Sequence, residues 1–265
     1  MNYVGFPGIG LSLNLNPVAF TIPFIDKDVY WYGIIIAIGL LMGASISSAC
    51  AKKENLKSNV IIDLLIYGVP SALICGRLYY CLFSISSYID RPLKIFAIWE
   101  GGIAIYGGII GAIISTAIYC KHKKLHWKKV FDVGILGVIT GQFIGRWGNF
   151  VNAEAYGSET NLPWRMEIYG ENNVLTAVHP TFLYESLWNF IGLFVLLYIN
   201  KHKKNDGDTF FSYLIWYGAG RAVIEGFRAD SLYLGPLRIS QILGLVTLVI
   251  GIIYFIFKYR KTKSA

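Results

Sequence analysis

Long apolar runs alternate with short polar connections along most of the chain. Runs at about 31–51, 60–84, 103–120, 130–147, 180–200, 209–228 and 238–257 are each long enough to cross a bilayer, which takes about 20 apolar residues as a helix. The pattern predicts an all-α integral membrane protein with seven transmembrane helices. Trp31, Trp99, Trp127 and Trp147 fall near the limits of these runs, as interfacial aromatics do. The longer connections are 1–30, 85–102 and 148–179; the last holds Pro163, Trp164, Arg165 and Glu167 and is too polar to span. With no clear repeat or low-complexity tract, the expectation is one polytopic domain over 1–265. Its small external cap is formed by 1–30, 85–102 and 148–179.

Composition agrees: 55% of residues are hydrophobic and 15% charged, where soluble domains carry roughly 25% charged residues. The first 30 residues do not read as a cleavable signal, because no Lys or Arg precedes Lys27 and Pro17 interrupts any apolar core. Lysines crowd the connections at 52–57, 121–129 and 201–204 and the tail at 258–263. The alternate connections hold only Lys27, Arg91, Lys94, Arg165 and Arg238. The positive-inside rule then places the N-terminus outside and the C-terminus in the cytoplasm. The formal charge of +8 is thus mostly a topology signal and calls for no nucleic-acid partner. Cys50, Cys75, Cys81 and Cys120 lie in or at the ends of apolar runs and form no CxxC pair, so they read as small buried hydrophobes.

Arginine inside a span is costly, and such residues usually face the bundle interior and pair. Arg77, Arg146, Arg221 and Arg228 all fall in the outer halves of their predicted spans. In the sixth run, Tyr217, Arg221, Glu225 and Arg228 fall on one helical face. That face is either a self-neutralising ladder or, given its surplus positive charge, a site for an anion. Phosphate suits guanidinium because its oxygens match the fork. In the fourth run, Gly137, Gly141 and Gly145 form a small-residue ridge that delivers Arg146 to the helix mouth beside Asn149. Taken singly, Arg146 reads equally as a snorkelling side chain. The pairs Gly101–Gly102 and Gly107–Gly108 bracket Tyr106 and mark either tight helix packing or a break whose backbone binds an anion. His179 precedes the helix-start Pro180 as either a hydrogen-bonding group or an acid/base. Glu185, shortly after, and Glu154, just beyond the membrane, add carboxylates. These residues converge on a cationic cavity near one membrane face. No sequence motif indicates a metal, nucleotide or other cofactor.

The stretch GRWGNFVNAEAYG (145–157) closely resembles the signature of bacterial prolipoprotein diacylglyceryl transferases. The likeness extends in order through NPVAF (16–20), WYG (31–33), GRLYY (76–80), WEGGIAIYGG (99–108), HPTFLYES (179–186), YGAGRAVIEGFRAD (217–230) and SQIL (240–243). It implies a seven-span plasma-membrane enzyme with an outward-facing site. Such an enzyme transfers the diacylglyceryl group of phosphatidylglycerol to the lipobox cysteine thiol of a prolipoprotein, leaving a thioether and glycerol 1-phosphate. By resemblance, Arg146 and Arg221 hold the lipid phosphate. Asn149, Glu154 and Gly157 complete the signature, Glu225 orients Arg221 beside Arg228, and Glu185, Tyr217 and Tyr32 match further site positions. His179 and Arg77 join the candidate lipid contacts. The catalytic candidates are Arg146, Arg221, Glu154 and Tyr106.

The chain departs from the family pattern at Tyr106, where many members have the histidine proposed as the base for the thiol. A phenol, with an ordinary pKa of about 10, is a poor base at neutral pH. Either Tyr106 only hydrogen-bonds, or Glu154 or His179 takes the proton, or no dedicated base is needed. Tyr30 and Trp31 stand before the first-span tyrosine, where an arginine is common. The alternative function is a transporter or scramblase of an anionic lipid or organic anion. Transporters often carry internal repeats around a midplane site, and here no repeat is evident and the charges lie toward one face.

Overall fold

The computed structural model describes residues 1–24, 26–57, 59–169 and 174–263. Among them are seven α-helices: α1 (Trp31–Lys53), α2 (Val60–Phe83), α3 (Ile105–Lys123), α4 (Trp127–Asn152), α5 (Thr181–His202), α6 (Asp208–Ile224) and α7 (Ile239–Lys263). Helices α1, α2, α5 and α7 are long and apolar enough to cross a membrane. Leu41, Ile66, Ile74 and Phe257 stand more than half exposed on them, a distribution suited to lipid rather than water. The expected third, fourth and sixth spans are helical as well, but α6 has only 17 residues. Gly, Ser and Thr dilute the apolar run of α3, and Asp132, Gln142 and Arg146 that of α4.

The chain divides into two compact units, residues 1–46 with 135–265, and residues 47–134. In the first unit, the glycine ridge of α4 meets α1. A Cβ on Gly43 would fall 3.1 Å from the Gly137 Cα, and one on Gly39 would fall 3.5 Å from the Gly141 Cα. Farther along, the Tyr32 ring covers Gly148. The ridge therefore does what its spacing suggests and lets two backbones touch.

Segments 1–30 and 148–179 supply an antiparallel four-stranded sheet that the residue pattern did not announce. Its strands are β1 (Asn2–Phe6), β2 (Leu11–Leu15), β5 (Met166–Tyr169) and β6 (Leu175–Val178), in the order β2-β1-β5-β6. Val4 lies opposite both Leu13 and Ile168. Val4, Met166, Ile168, Val178 and Phe182 form a buried core, with Phe150 and Tyr156 packed against it. Each such side chain contributes about 1.5–3 kcal/mol by leaving water. The core fastens the sheet to the end of α4 and the start of α5. Two hairpin pairs, β3 (Val18–Ile22) with β4 (Lys27–Tyr30) and β7 (Tyr233–Leu234) with β8 (Leu237–Arg238), complete the strands.

In the second unit, α2 and α3 pack as a hairpin. A Cβ on Gly107 would lie 2.9 Å from the Gly76 Cα, and the Ala104 N–H donates to the Gly76 carbonyl at 3.0 Å. The two glycine pairs thus divide the roles left open by the sequence. Gly107 serves packing, whereas Gly101 and Gly102 have φ of +86° and +75° and form the break before α3. Residues 85–102 hold short 3₁₀ turns at Ile85–Ser87, Pro92–Phe96 and Ile98–Glu100. Arg77 staples them: its Nε donates to Ile95 O at 2.8 Å, Nη1 to Gly101 O and Gly102 O, and Nη2 to Lys94 O and Ala97 O.

Candidate functional site

Helix α4 does not stop at the predicted limit of 147 but runs to Asn152, so Arg146 and Asn149 share its last turns. The chain leaves through Ala153 and Ala155, with φ of +50° and +55°, a left-handed conformation that costs an L-residue about 1–2 kcal/mol. Glu154 lies between them, exposed, with Oε1 accepting from Asn149 Nδ2 at 2.9 Å. Asn149 Oδ1 in turn accepts from Arg146 Nη1 at 3.2 Å. Arg146, Asn149 and Glu154 therefore form one hydrogen-bonded chain.

The loop then stitches the site together. The Gly157 N–H donates to His179 O at 2.9 Å, the Ser158 N–H to Phe227 O at 2.7 Å, and the Thr181 hydroxyl to Ala155 O at 2.6 Å. A Cβ on Gly157 would lie 2.6 Å from the His179 Cβ and 2.7 Å from Phe227 O, so only glycine lets three segments meet there. These bonds also explain a correction. The sixth predicted span was expected to stay helical to 228, with Arg221, Glu225 and Arg228 on one face. Instead α6 ends at Ile224, Glu225–Phe227 is a 3₁₀ turn and Arg228 is extended, with φ −73° and ψ 140°. Gly157 and Arg228 form a β-bridge, and that pairing outcompetes another helical turn. The Arg238 guanidinium donates to Glu225 O, and to Arg228 O at 3.0 Å, holding the turn from the other side.

The three membrane arginines of this unit meet all the same, on Glu185 of α5. Glu185 is 6% exposed. Its Oε2 pairs with Arg146 Nη2; its Oε1 accepts from Arg221 Nη1 at 3.1 Å and Arg228 Nη1 at 3.3 Å. Glu225, 2% exposed, pairs with Arg221 Nη2 at 2.8 Å. Asp230 accepts from Arg228 Nε and Nη2 at 3.0 and 2.8 Å. Burial raises the Asp230 pKa, but the hydrogen bond and charge of Arg228 outweigh it and leave the carboxyl below its ordinary value. The charge expected on the α6 face is thus met by carboxylates from outside it: Glu185 and Asp230 join Glu225 in pairing with Arg146, Arg221 and Arg228, while Arg238 is bonded to backbone carbonyls.

The remaining candidates divide by unit. Tyr32 sits over Gly148, beside Asn149 in sequence. Tyr217 stacks on Tyr213 at 5.5 Å, and the Tyr213 hydroxyl accepts from Gln142 Nε2 at 2.8 Å. His179 Nδ1 lies 3.2 Å from the Tyr184 hydroxyl, which accepts from the Trp164 indole at 2.8 Å. Burial holds His179 below its ordinary pKa. Arg77 and Tyr106 belong to the second unit. There Arg77 is engaged by the carbonyls above, and Tyr106 packs edge-on to Tyr79 at 6.5 Å. Residue reading missed Asp230 and Arg238. Asp230 follows Arg228 by two positions and could have been found by that spacing; Arg238 was read as a topology charge. Tyr184, which meets His179, and Trp164, which donates to Tyr184, carried no signal.

A family model described as prolipoprotein diacylglyceryl transferase matches residues 17–257. The phosphatidylglycerol–prolipoprotein diacylglyceryl transferase of Clostridioides difficile is 43% identical over 250 residues, covering 94% of this chain and 98% of the relative. That of Lysinibacillus sphaericus is 42% identical over 265 residues, 96% of each chain. That of Finegoldia magna is 43% identical over 248 residues, 93% of this chain and 97% of the relative.

Proposed function

This chain belongs to the prolipoprotein diacylglyceryl transferase family, and from that premise we propose that the cluster around Glu185 is its lipid-headgroup site. The protein is a multi-pass membrane enzyme that transfers the diacylglyceryl group of phosphatidylglycerol to prolipoproteins. The observation that carries the site assignment is the meeting of Arg146, Arg221 and Arg228 from separate segments at one buried point. A phosphodiester presents two non-bridging oxygens to such guanidinium forks.

In this reading all seven helices span the membrane, with the N-terminus outside, and phosphatidylglycerol enters from the outer leaflet. The lysine-rich connections on the opposite side support that orientation. Arg146 and Arg221 clamp the phosphate. Asn149 fixes the Arg146 guanidinium, Glu225 that of Arg221, and Asp230 that of Arg228. Gly157 and His179 hold the loop that positions Arg228, while Tyr32 and Tyr217 line the approach. Glu154, exposed and one hydrogen bond from Asn149, receives the proton of the lipobox cysteine. The thiolate then attacks the glyceryl carbon bearing the phosphate. The carbon–sulfur bond forms, and the carbon–oxygen bond breaks with its electron pair passing to the phosphate oxygen. Glycerol 1-phosphate departs with its new charge held by the arginines. Tyr106 hydrogen-bonds without acting as base, and Arg77 serves the 94–102 loop.

The test is direct. Purified protein is incubated with phosphatidylglycerol vesicles and a lipobox peptide. The reading predicts a thioether-linked diacylglyceryl peptide and an equal amount of glycerol 1-phosphate. Lipid movement between leaflets without either product would favour a transporter.

A further inference from the structure

Among the described residues, three arginines meet the Glu185 carboxylate: Arg146 on one oxygen, Arg221 and Arg228 on the other. We propose that Glu185 holds the place of the lipid phosphate in the resting site and competes with the phosphate product, driving its exchange at the end of each turnover. The proposal rests on the reading that Arg146 and Arg221 bind the phosphate.

Shape is the first argument. A carboxylate and the non-bridging face of a phosphodiester both offer two anionic oxygens to a guanidinium fork. Glu185 already fills the point where the forks meet. Charge balance is the second. Arg146, Arg221 and Arg228 each already face a carboxylate, and the neighbouring Arg238 is taken up by the carbonyls of Glu225 and Arg228, so an arriving phosphate adds an anion to forks that already carry one. One carboxylate has to yield. Glu225 is 2% exposed, in a turn whose Glu225 carbonyl accepts from Arg238. Asp230 meets Arg228 at Nε and Nη2, away from the Nη1 that faces Glu185. Glu185, on α5 and shared by Arg146, Arg221 and Arg228 together, is the carboxylate whose release opens the fork to a ligand.

The return step has the same logic. The product monoester carries more negative charge than the diester it came from, approaching −2 at neutral pH, and three arginines would retain it. A competitor tethered on α5 acts at an effective concentration of millimolar or more, so the Glu185 carboxylate can retake its place without waiting for a second molecule. Binding and departure of the phosphate become an exchange of one anion for another, with no bare guanidinium cluster left in lipid.

The experiment compares wild-type and Glu185→Gln protein, purified at full length, in the transfer reaction with added sn-glycerol 1-phosphate. Removing the competing charge while keeping a hydrogen-bond acceptor is expected to lower the inhibition constant of glycerol 1-phosphate by about tenfold. KM for phosphatidylglycerol should fall with it, and kcat should fall because release slows. An unchanged or raised inhibition constant, with a raised KM, would overturn the proposal and leave Glu185 as a scaffold for the arginines. If Glu185→Gln does not insert, Glu185→Asp carries the test: it keeps the charge but withdraws it by one methylene, and the inhibition constant should again fall, by a smaller factor. An unchanged or raised value there overturns the proposal equally. Arg146→Ala separates the underlying reading. If glycerol 1-phosphate inhibits that variant as well as wild type, the phosphate clamp itself is wrong. If Arg146→Ala weakens inhibition while the Glu185 variants leave it unchanged, only the exchange fails.

Discussion

Tyr106 stands where the family pattern often has histidine, and its ring packs against Tyr79 on the adjoining helix of its unit. If its role is packing and hydrogen bonding, Tyr106→Phe keeps near-full transfer activity. A loss of about 10²-fold or more, the size of a missing acid/base, would restore Tyr106 as a catalytic group. His179 makes a separate, pH-dependent prediction. Burial lowers its pKa in the folded protein, so the unfolded chain takes up a proton first as pH falls below the ordinary histidine value of about 6.5. Stability attributable to His179 is therefore complete above that value and declines as pH drops from there toward the folded pKa. Thermal unfolding in detergent across pH 5–8 should show this acid-side slope in the wild type, flattened in His179→Gln.

At the scale of elements, the helix carrying Glu185 and the helix carrying Arg221 are kept in register by a reciprocal pair of tryptophans. Trp188 Nε1 donates to Trp216 O at 3.0 Å and Trp216 Nε1 donates to Trp188 O at 3.1 Å, with the rings stacked at 4.7 Å. Each indole lies over a glycine of the opposite helix, Trp216 over Gly192 and Trp188 over Gly220. Trp188 is three residues beyond Glu185, and Gly220 precedes Arg221, so the lock sits beside the ion cluster. Trp188→Phe keeps an aromatic ring but removes one of the two indole hydrogen bonds, and should lower stability by about 0.5–1.5 kcal/mol, read as a reduced melting temperature in detergent. An unchanged melting temperature would remove the pair from the account of helix register. The same two helices show where residue patterns stop being informative. Apolar run lengths locate α5 and α6 to within a few residues. The end of α6 at Ile224 depends on hydrogen bonds from residues 156–158, which no local pattern contains.

At the scale of the molecule, the membrane character was legible, and so were the arginines that meet at Glu185, because spans and intramembrane arginines are conspicuous against lipid. The sheet was not: β1 pairs with β5 across more than 150 positions, and its strands are only four or five residues long. Nor was the pairing within the cluster, since Arg221 and Glu185 are separated by 36 positions and sit on different helices. Orientation is open to a direct experiment. With the native cysteines replaced, Asn14→Cys should react with a membrane-impermeant maleimide in intact cells and Lys124→Cys only after lysis. The reverse pattern would invert the proposed topology. The central claim, that Arg146 and Arg221 bind the phosphate and stabilise it as it leaves, is tested most directly by rate. Transfer from phosphatidylglycerol to a lipobox peptide should be measured for Arg146→Ala and Arg221→Ala proteins shown to insert normally. The account predicts a loss of about 10²–10³-fold in each, the usual effect of removing one well-placed charge stabiliser. Near wild-type transfer by either variant would contradict it.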